Sequence, residues 1–423
     1  MTPTFQPRIV VAASLALPVA AMAQDARFFA LGNVDGEPGC NDNGCYLSDA
    51  PRVSADGRVV YGASFIEGFW SAVPNVPFRW TIGAGIEAIG PEFGPGRLIQ
   101  SVNSDGSRVL GQTWQWTAID GFEDISARLP AFGTGIVGAS ADTGTVVYLE
   151  GLIVDERPFV LELDSSDPPR ELITPDIGQE RTGLDFAVSR DGSTVGGRLE
   201  LPDFKATPAI WPLDGDFFLP GDLDPGERSG GVVDFSDDGS VAVGFSRQSG
   251  FGWAGFRWTA DTGIVSLAET SDQETFSPAR AVNADGSIIV GQTRTFGTGS
   301  GDAYLWTEDL GLTILQDYLI AEFGLGSDLA GWSLEEATDV SADGRVIVGN
   351  GLNPDGILEA WVVVLPGSCR ADFDGDGELT IFDFLAFQTA FDAGDTAADF
   401  DGDGRLTIFD FLAFQSEFDE GCV

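Results

Sequence analysis

Apolar and polar residues alternate in short runs through most of the chain, a period of two that predicts β-strands with one buried face. The alternation returns as a unit. VSADGRVVYG begins at Val53, VNSDGSRVLG at Val102 and VSRDGSTVGG at Val188. FSDDGSVAVG begins at Phe235, VNADGSIIVG at Val282 and VSADGRVIVG at Val340, and a degenerate copy, ASADTGTVVY, begins at Ala139. In all but the degenerate copy, which reads Asp-Thr-Gly, a short apolar strand runs into an Asp-Gly turn, where glycine accepts the positive φ of a tight hairpin, and a β-branched strand follows. Next comes an aromatic strand, such as PFRWT at Pro77, GFRWT at Gly255 or AYLWT at Ala303, and then a last strand such as GIEAIG or GIVSLAE. The repeat region shows no sustained helical periodicity, so no helix is predicted in it.

Four short strands in a unit that recurs about every 48 residues predict the blade of a β-propeller. The expected fold class is therefore mainly β: a seven-bladed propeller over residues 24–366. An open β-solenoid is the rival architecture. The last unit favours closure. It reaches EAWVVVL, from Glu359, without a fourth strand, whereas RFFALGNV, from Arg27, has no unit of its own. Residues 27–34 are expected to pair with the strand near Trp361 and so cover an otherwise open sheet edge.

The turn aspartates, Asp56, Asp105, Asp142, Asp191, Asp238, Asp285 and Asp343, are read as side-chain caps of tight turns. Asp234 and Asp339 do not follow the repeat and are candidates to face a central channel. Trp70, Trp253 and Trp332 also lie outside the repeat positions; they are expected to be exposed and either stack on sugars or pack against neighbours.

The units resemble the extracellular repeat family called HAF after a His-Ala-Phe tripeptide, with its Gly-terminated hairpin and its aromatic strand ending in Trp. The likeness covers roughly residues 27–366 and departs at the tripeptide, where Pro77-Phe78, Gly255-Phe256 and Ala303-Tyr304 stand instead. It implies architecture and secretion, and no chemistry.

The pattern changes at residue 367. From Asp372 the chain reads DFDGDGELTIFD, and from Asp399 it reads DFDGDGRLTIFD. These are calcium loops of EF-hand type. Alternate residues of a tight loop point inward, so three carboxylates converge on one hard cation while a glycine allows the sharp bend. The expected ligands are Asp372, Asp374, Asp376, the carbonyl of Glu378 and Asp383 for one Ca²⁺, and Asp399, Asp401, Asp403, the carbonyl of Arg405 and Asp410 for a second. An apolar helix is predicted after each loop, FLAFQTAF from Phe384 and FLAFQSEF from Phe411.

A loop followed by one helix, duplicated at close range and bracketed by Cys369 and Cys422, resembles the dockerin domain. The resemblance makes residues 367–423 a small, α-helical, calcium-binding module that attaches the protein to a cohesin-like or other extracellular anchoring partner. Its recognition positions fall on Ile381, Phe382, Gln388 and Thr389, and in the second copy on Ile408, Phe409, Gln415 and Ser416. Familiar cellulosomal dockerins tend to be polar there, so the Ile-Phe pair leaves the partner type open.

Composition narrows the remaining choices. With 66 acidic against 22 basic residues the net charge is −44, which argues against nucleic acid and anionic membranes. The absence of histidine excludes a Ser-His-Asp triad and a His-ligated zinc site. Residues 1–23 read as a secretory signal: Arg8, an apolar run from Ile9, and Ala21-Met22-Ala23 as a cleavage site. An uncleaved anchor is the alternative. No other stretch is long and apolar enough to span a bilayer. In an exported protein the four cysteines suggest disulfides, with Cys40 paired to Cys45 and Cys369 to Cys422 the local choice among three pairings.

The expectation is a secreted binding or scaffold protein, localised outside the cell or at its surface, with two Ca²⁺ ions and no catalytic residue assigned. The alternative is a polysaccharide-degrading enzyme, a glycoside hydrolase with paired carboxylates in the channel.

Overall fold

A computed structural model describes residues 26–366 and 371–420, apart from interruptions at 35, 37–38, 42–43, 66–74, 92–98, 130–132, 141–143, 151–156, 166, 173–180, 183–185, 201–204, 227, 249–251, 268–274, 296–300, 372, 374–379, 399 and 401–404. The expected signal segment lies outside the described residues, as do Trp70 and Asp142. The chain divides into two compact units. One is Ala26–Leu365, and the C-terminal unit begins at Pro366.

The first unit is mainly β and is built as a β-propeller from consecutive antiparallel meanders. Ser48–Val53, Val60–Phe65, Asn75–Thr81 and Gly85–Ala88 form one. Ile99–Val102, Arg108–Gly111, Trp114–Thr117 and Gly121–Asp124 form the next. Gly133–Ala139, Thr145–Glu150, Arg157–Glu162 and Arg170–Glu171 follow. In the meander of Ala187–Val188, Thr194–Glu200 and Ala206–Pro212, the outer edge is reduced to a bridge between Ile210 and Phe218.

Gly230–Phe235, Val241–Gln248, Gly252–Thr259 and Gly263–Ser266 make another meander, and Ala279–Val282, Ile289–Thr295, Asp302–Thr307 and Gly311–Ile314 the one after it. A short strand, Thr275–Ser277, pairs parallel to the first of these and antiparallel to the second, joining them into one sheet. Ser333–Val340, Val346–Leu352 and Leu358–Val364 complete the series.

The outer strand of that last meander comes from the other end of the unit. Arg27–Ala30 pairs antiparallel with Leu358–Val364, placing Ala30 opposite Trp361. Glu359, a buried carboxylate, secures the exit of this strand. It accepts hydrogen bonds from Gly32 N at 2.7 Å and Asn353 Nδ2 at 2.8 Å.

The repeated residues have two packing roles. Ser54, Ser189, Ser236 and Ser341 are buried, and each donates its hydroxyl to the aspartate two residues on while accepting the N–H five residues on. Asn103 and Asn283 accept the corresponding N–H in their turns. The described turn aspartates therefore cap turns. Ser240, through its backbone N–H and then its hydroxyl, holds the Asp238 carboxyl below the usual range.

The second role belongs to the glycine of the second strand. Gly62 sits opposite Phe78, and Gly349 opposite Trp361. A methyl group on Gly62 would stand 2.6 Å from the Phe78 ring, so the absence of a side chain is what lets the aromatic strand pack flat.

The turns also bond to one another. Asp237 N donates to Ala284 O, Ala284 N to Ala342 O, and Ala342 N to Ala55 O, each at 2.9–3.0 Å. Asp56 N donates to Ser104 O and Asp191 N to Asp237 O. The bond from Ala342 to Ala55 links the last meander to the first.

The expectation of no helix in this unit is corrected. Helix α1, Leu315–Phe323, follows Gly311–Ile314 and ends at Gly324 in the left-handed conformation. It is too short to show a sustained period. It forms because Leu315 and Leu319, one turn apart, are buried in the apolar cluster around Trp361, and because Gln316 bonds to Trp332 O and Leu334 N.

In the C-terminal unit, helices α2, Ile381–Ala393, and α3, Ile408–Glu420, each begin three residues before the predicted apolar stretch. Thr380 and Thr407 explain the early start. Each accepts a backbone N–H with its hydroxyl and donates its own N–H to the aspartate three residues on. The core is aromatic. Phe387 and Phe414 stack at 4.3 Å and 9°, and Phe384 meets Phe411 edge-on at 5.5 Å. Among the described residues no helix is long and apolar enough to cross a membrane.

Candidate functional site

The first strand of every meander contributes to the wall of one cavity of about 1020 Å³. Within that wall, one layer is set by the residue two places before the turn Ser or Asn. Asp234 and Asp339 occupy this position, and so does Arg52. Their counterparts are Ser101, Gly138, Ala187 and Ala281, all small. The layer thus has two carboxylates, one guanidinium and open space beside them.

Both aspartates sit just after β-bulges, which turn their side chains out of the strand alternation. Each carboxylate reaches the next meander. Asp234 Oδ2 accepts Val282 N at 2.9 Å, and Asp339 Oδ2 accepts Val53 N at 3.0 Å. Desolvation, and then the charge of Asp339, push the Asp234 carboxyl up to about 7. Desolvation also raises Asp339, against the opposing effect of nearby Arg52. Arg52 Nη1 donates to Thr338 O at 3.0 Å. Two further arginines on the wall face acidic partners: Arg190 Nε lies 2.6 Å from Asp237 Oδ1, and Arg280 Nε lies 2.6 Å from Glu336 Oε1. The channel position foreseen for Asp234 and Asp339 is found. Arg52 was missed, although aligning the repeats on Ser54 and Ser236 places it level with Asp234.

For the two tryptophans that are described, packing is the alternative that holds, and neither is fully exposed. Trp332 is half-buried, edge-on to Phe28 at 5.1 Å and packed against the apolar cluster around Trp361. Trp253 is half-buried as well. Its Nε1 donates to Ser229 Oγ, Phe276 meets it edge-on, and the Arg247 guanidinium lies 5.3 Å from its ring centre. Packing accounts for both.

In the C-terminal unit, Asp372, Asp374, Asp376, Glu378, Asp399, Asp401 and Asp403 lie outside the described residues, as do Cys369 and Cys422. The two aspartates that end the loops are described. Asp383 and Asp410 are fully buried, at 0% exposure each. Asp383 Oδ2 accepts Thr380 N. Asp410 Oδ2 accepts Thr407 N, and its Oδ1 accepts Phe400 N at 2.7 Å. Each carboxylate is thus drawn back from its helix toward the loop. Arg405 is exposed at the end of the second loop.

The recognition positions are at the surface. Ile381 and Phe382 are 63% and 62% exposed, and Ile408 and Phe409 are 63% and 64% exposed. Gln388, Thr389 and Gln415 are exposed too, and the Ser416 side chain lies outside what is described. Leu385 and Leu412, one turn further along, extend the two patches and were not foreseen. Their spacing of four from Ile381 and Ile408 was the available signal. In the first unit, Cys40 and Cys45 are direct backbone partners across the hairpin of Gly39–Asn41 and Gly44–Tyr46.

Neither a protein-family model nor a curated protein sequence matches the chain. Among solved structures it is similar to an oligogalacturonate lyase from Vibrio parahaemolyticus, at 9% identity and a TM-score of 0.48, over 81% of this chain and 98% of that one. It is similar to the β-propeller domain of the Trilobed protease from Pyrococcus furiosus, at 11% identity and a TM-score of 0.47, over 75% and 94%. It is also similar to TolB from Acinetobacter baumannii, at 12% identity and a TM-score of 0.35, over 63% of this chain and 53% of TolB. No residue or activity is carried over from them.

Proposed function

We propose that the chain is an exported seven-bladed β-propeller that presents a binding surface and is anchored outside the cytoplasm by a calcium-loaded, dockerin-like C-terminal module. Two Ca²⁺ ions are held by Asp372, Asp374, Asp376, Glu378 and Asp383, and by Asp399, Asp401, Asp403, Arg405 and Asp410, with Glu378 and Arg405 contributing carbonyl oxygens. Cys40–Cys45 and Cys369–Cys422 form local disulfides in the oxidising compartment. The anchoring partner is a cohesin-like or comparable extracellular protein, and polysaccharide is a further candidate ligand.

One observation carries this reading. After each acidic loop the same three apolar residues, Ile381-Phe382-Leu385 and Ile408-Phe409-Leu412, stand exposed, while the phenylalanines behind them are buried. Large apolar side chains left in water twice at the same place mark a surface meant to be covered. The buried carboxylates of Asp383 and Asp410, bonded to loop backbone, tie these helices to the loops, so filling the loops with cations fixes the patches.

The test is calcium titration of the full chain by calorimetry. About two ions per chain are expected, with Asp372→Ala and Asp399→Ala each removing one. Fewer than two sites in the intact chain, or no effect of either substitution, would sink the reading. Peptide mapping under non-reducing conditions tests the disulfides; a Cys40–Cys369 crosslink would show the pairing to be wrong.

A second reading, a glycoside hydrolase, has one observation in its favour: Asp234 and Asp339 share a cavity. Against it, both carboxylates spend oxygen lone pairs on backbone N–H groups of the neighbouring meander. Release of reducing sugar from polysaccharides, abolished by Asp234→Asn, would favour it.

A further inference from the structure

The charged layer of the cavity wall is not balanced. Asp234 and Asp339 face one guanidinium, Arg52, which lies nearest in the ring order to Asp339. The flanking wall positions of Asp234 are Ala187 and Ala281, which bring neither charge nor bulk. Of the other arginines on the wall, Arg190 acts on Asp339 as the smallest of its influences, and both are already engaged by carboxylates. Arg280 is engaged by Glu336 and Arg190 by Asp237, and Asp49 is itself acidic. The protein as a whole carries −44, so the field around the channel mouth draws cations and repels anions.

We propose that the central cavity binds an organic cation, a ligand that seats an ammonium or guanidinium group against Asp234 and Asp339. The proposal goes beyond the anchoring role and does not rest on it. Each carboxylate oxygen has two lone pairs, so the bonds that Asp234 accepts from Val282 N and Phe235 N, and that Asp339 accepts from Val53 N and Val340 N, leave acceptor capacity for such a group. Small neighbours at Ser101, Gly138, Ala187 and Ala281 leave room for it. An ion pair formed away from bulk water is much stronger than one at the surface. Because desolvation and Asp339 keep Asp234 partly protonated near neutrality, an incoming cation displaces that proton.

The experiment is titration calorimetry of the full chain at physiological ionic strength with two probes, 1,5-diaminopentane and the N-acetyl amide of lysine. Acetyl-norleucine amide and cellobiose serve as neutral controls. Saturable one-to-one binding is expected, with proton release at pH 7 read from buffers of different ionisation enthalpy. Affinity should fall as the pH drops from 7 to 5, a readout that needs no variant. Asp234→Asn and Asp339→Asn should each weaken binding about tenfold or more. Binding of both probes assigns the site to a basic peptide side chain, and binding of the diamine alone assigns it to a free polyamine. Absence of saturable binding, pH-independent affinity, equal binding of the neutral controls, or unchanged affinity in folded Asn variants would overturn the proposal. The measurements are repeated with calcium and with chelator. Agreement between the two separates this site from the C-terminal loops, and loss of binding in one of them would overturn its assignment to the cavity.

Discussion

The Asp339 carboxylate accepts a hydrogen bond from the backbone N–H of Val53, 286 residues earlier in the chain, at 3.0 Å. It bridges the seam where the last meander meets the first, beside the bond from Ala342 N to Ala55 O. Asp339→Ala leaves a buried N–H without its acceptor and is expected to cost about 1–3 kcal/mol. Asp339→Asn keeps an acceptor oxygen and should cost less. Urea denaturation followed by tryptophan fluorescence checks the order of the two.

Asp234 makes stability depend on pH. Its carboxyl is raised to about 7 in the folded chain from an ordinary value of 3.8, so the native state holds more proton between those limits. Stability from this group is therefore present below about pH 4 and is lost as pH rises through 7, at a slope of up to about 1.4 kcal/mol per unit. Asp234→Asn should flatten that part of the profile and raise the melting temperature above pH 7. Asp339→Asn should move the inflection to lower pH, since it removes the like charge. Thermal melts across pH 4–8 report both.

Gly62→Ala places a methyl group 2.6 Å from the Phe78 ring and is expected to destabilise by about 1–3 kcal/mol. Gly32→Ala, with nothing within 4 Å, meets no clash but holds φ at +65°, so its smaller penalty is backbone strain alone. Chemical denaturation of the two variants separates packing from backbone cost.

Chelation should loosen the C-terminal unit, because uncompensated carboxylates would crowd in each loop and metal binding there becomes folding free energy. The expected sign is a fall in the helical far-ultraviolet circular dichroism signal from α2 and α3, restored by calcium. Helicity identical with and without calcium would contradict it.

Much of this was readable beforehand because the repeat is periodic at two levels. The strand alternation locates the meanders, and the turn residues fix their register. The pairing of residues 27–30 with the strand at Trp361 was legible from a missing fourth strand. Helix α1 was not, since two turns anchored by Leu315 and Leu319 leave too short a signature. Nor was the packing partner of Trp332, since Phe28 arrives from the other end of the unit. Arg52 was missed because its role depends on which side chains share a layer, a property of the closed wall rather than of any one segment.

The pairing of Arg27–Ala30 with Leu358–Val364 sets the order of events as the chain acquires its structure. Gly32 waits for Glu359 across 327 positions, so its final contacts form only after nearly all of the unit has been made. Contacts of such long sequence separation fold slowly, and a chain interrupted before its last meander keeps an unpaired edge at each end. Synthesis and completion of the sheet series are therefore separate steps, and proteolysis of chains released early should begin at those two edges.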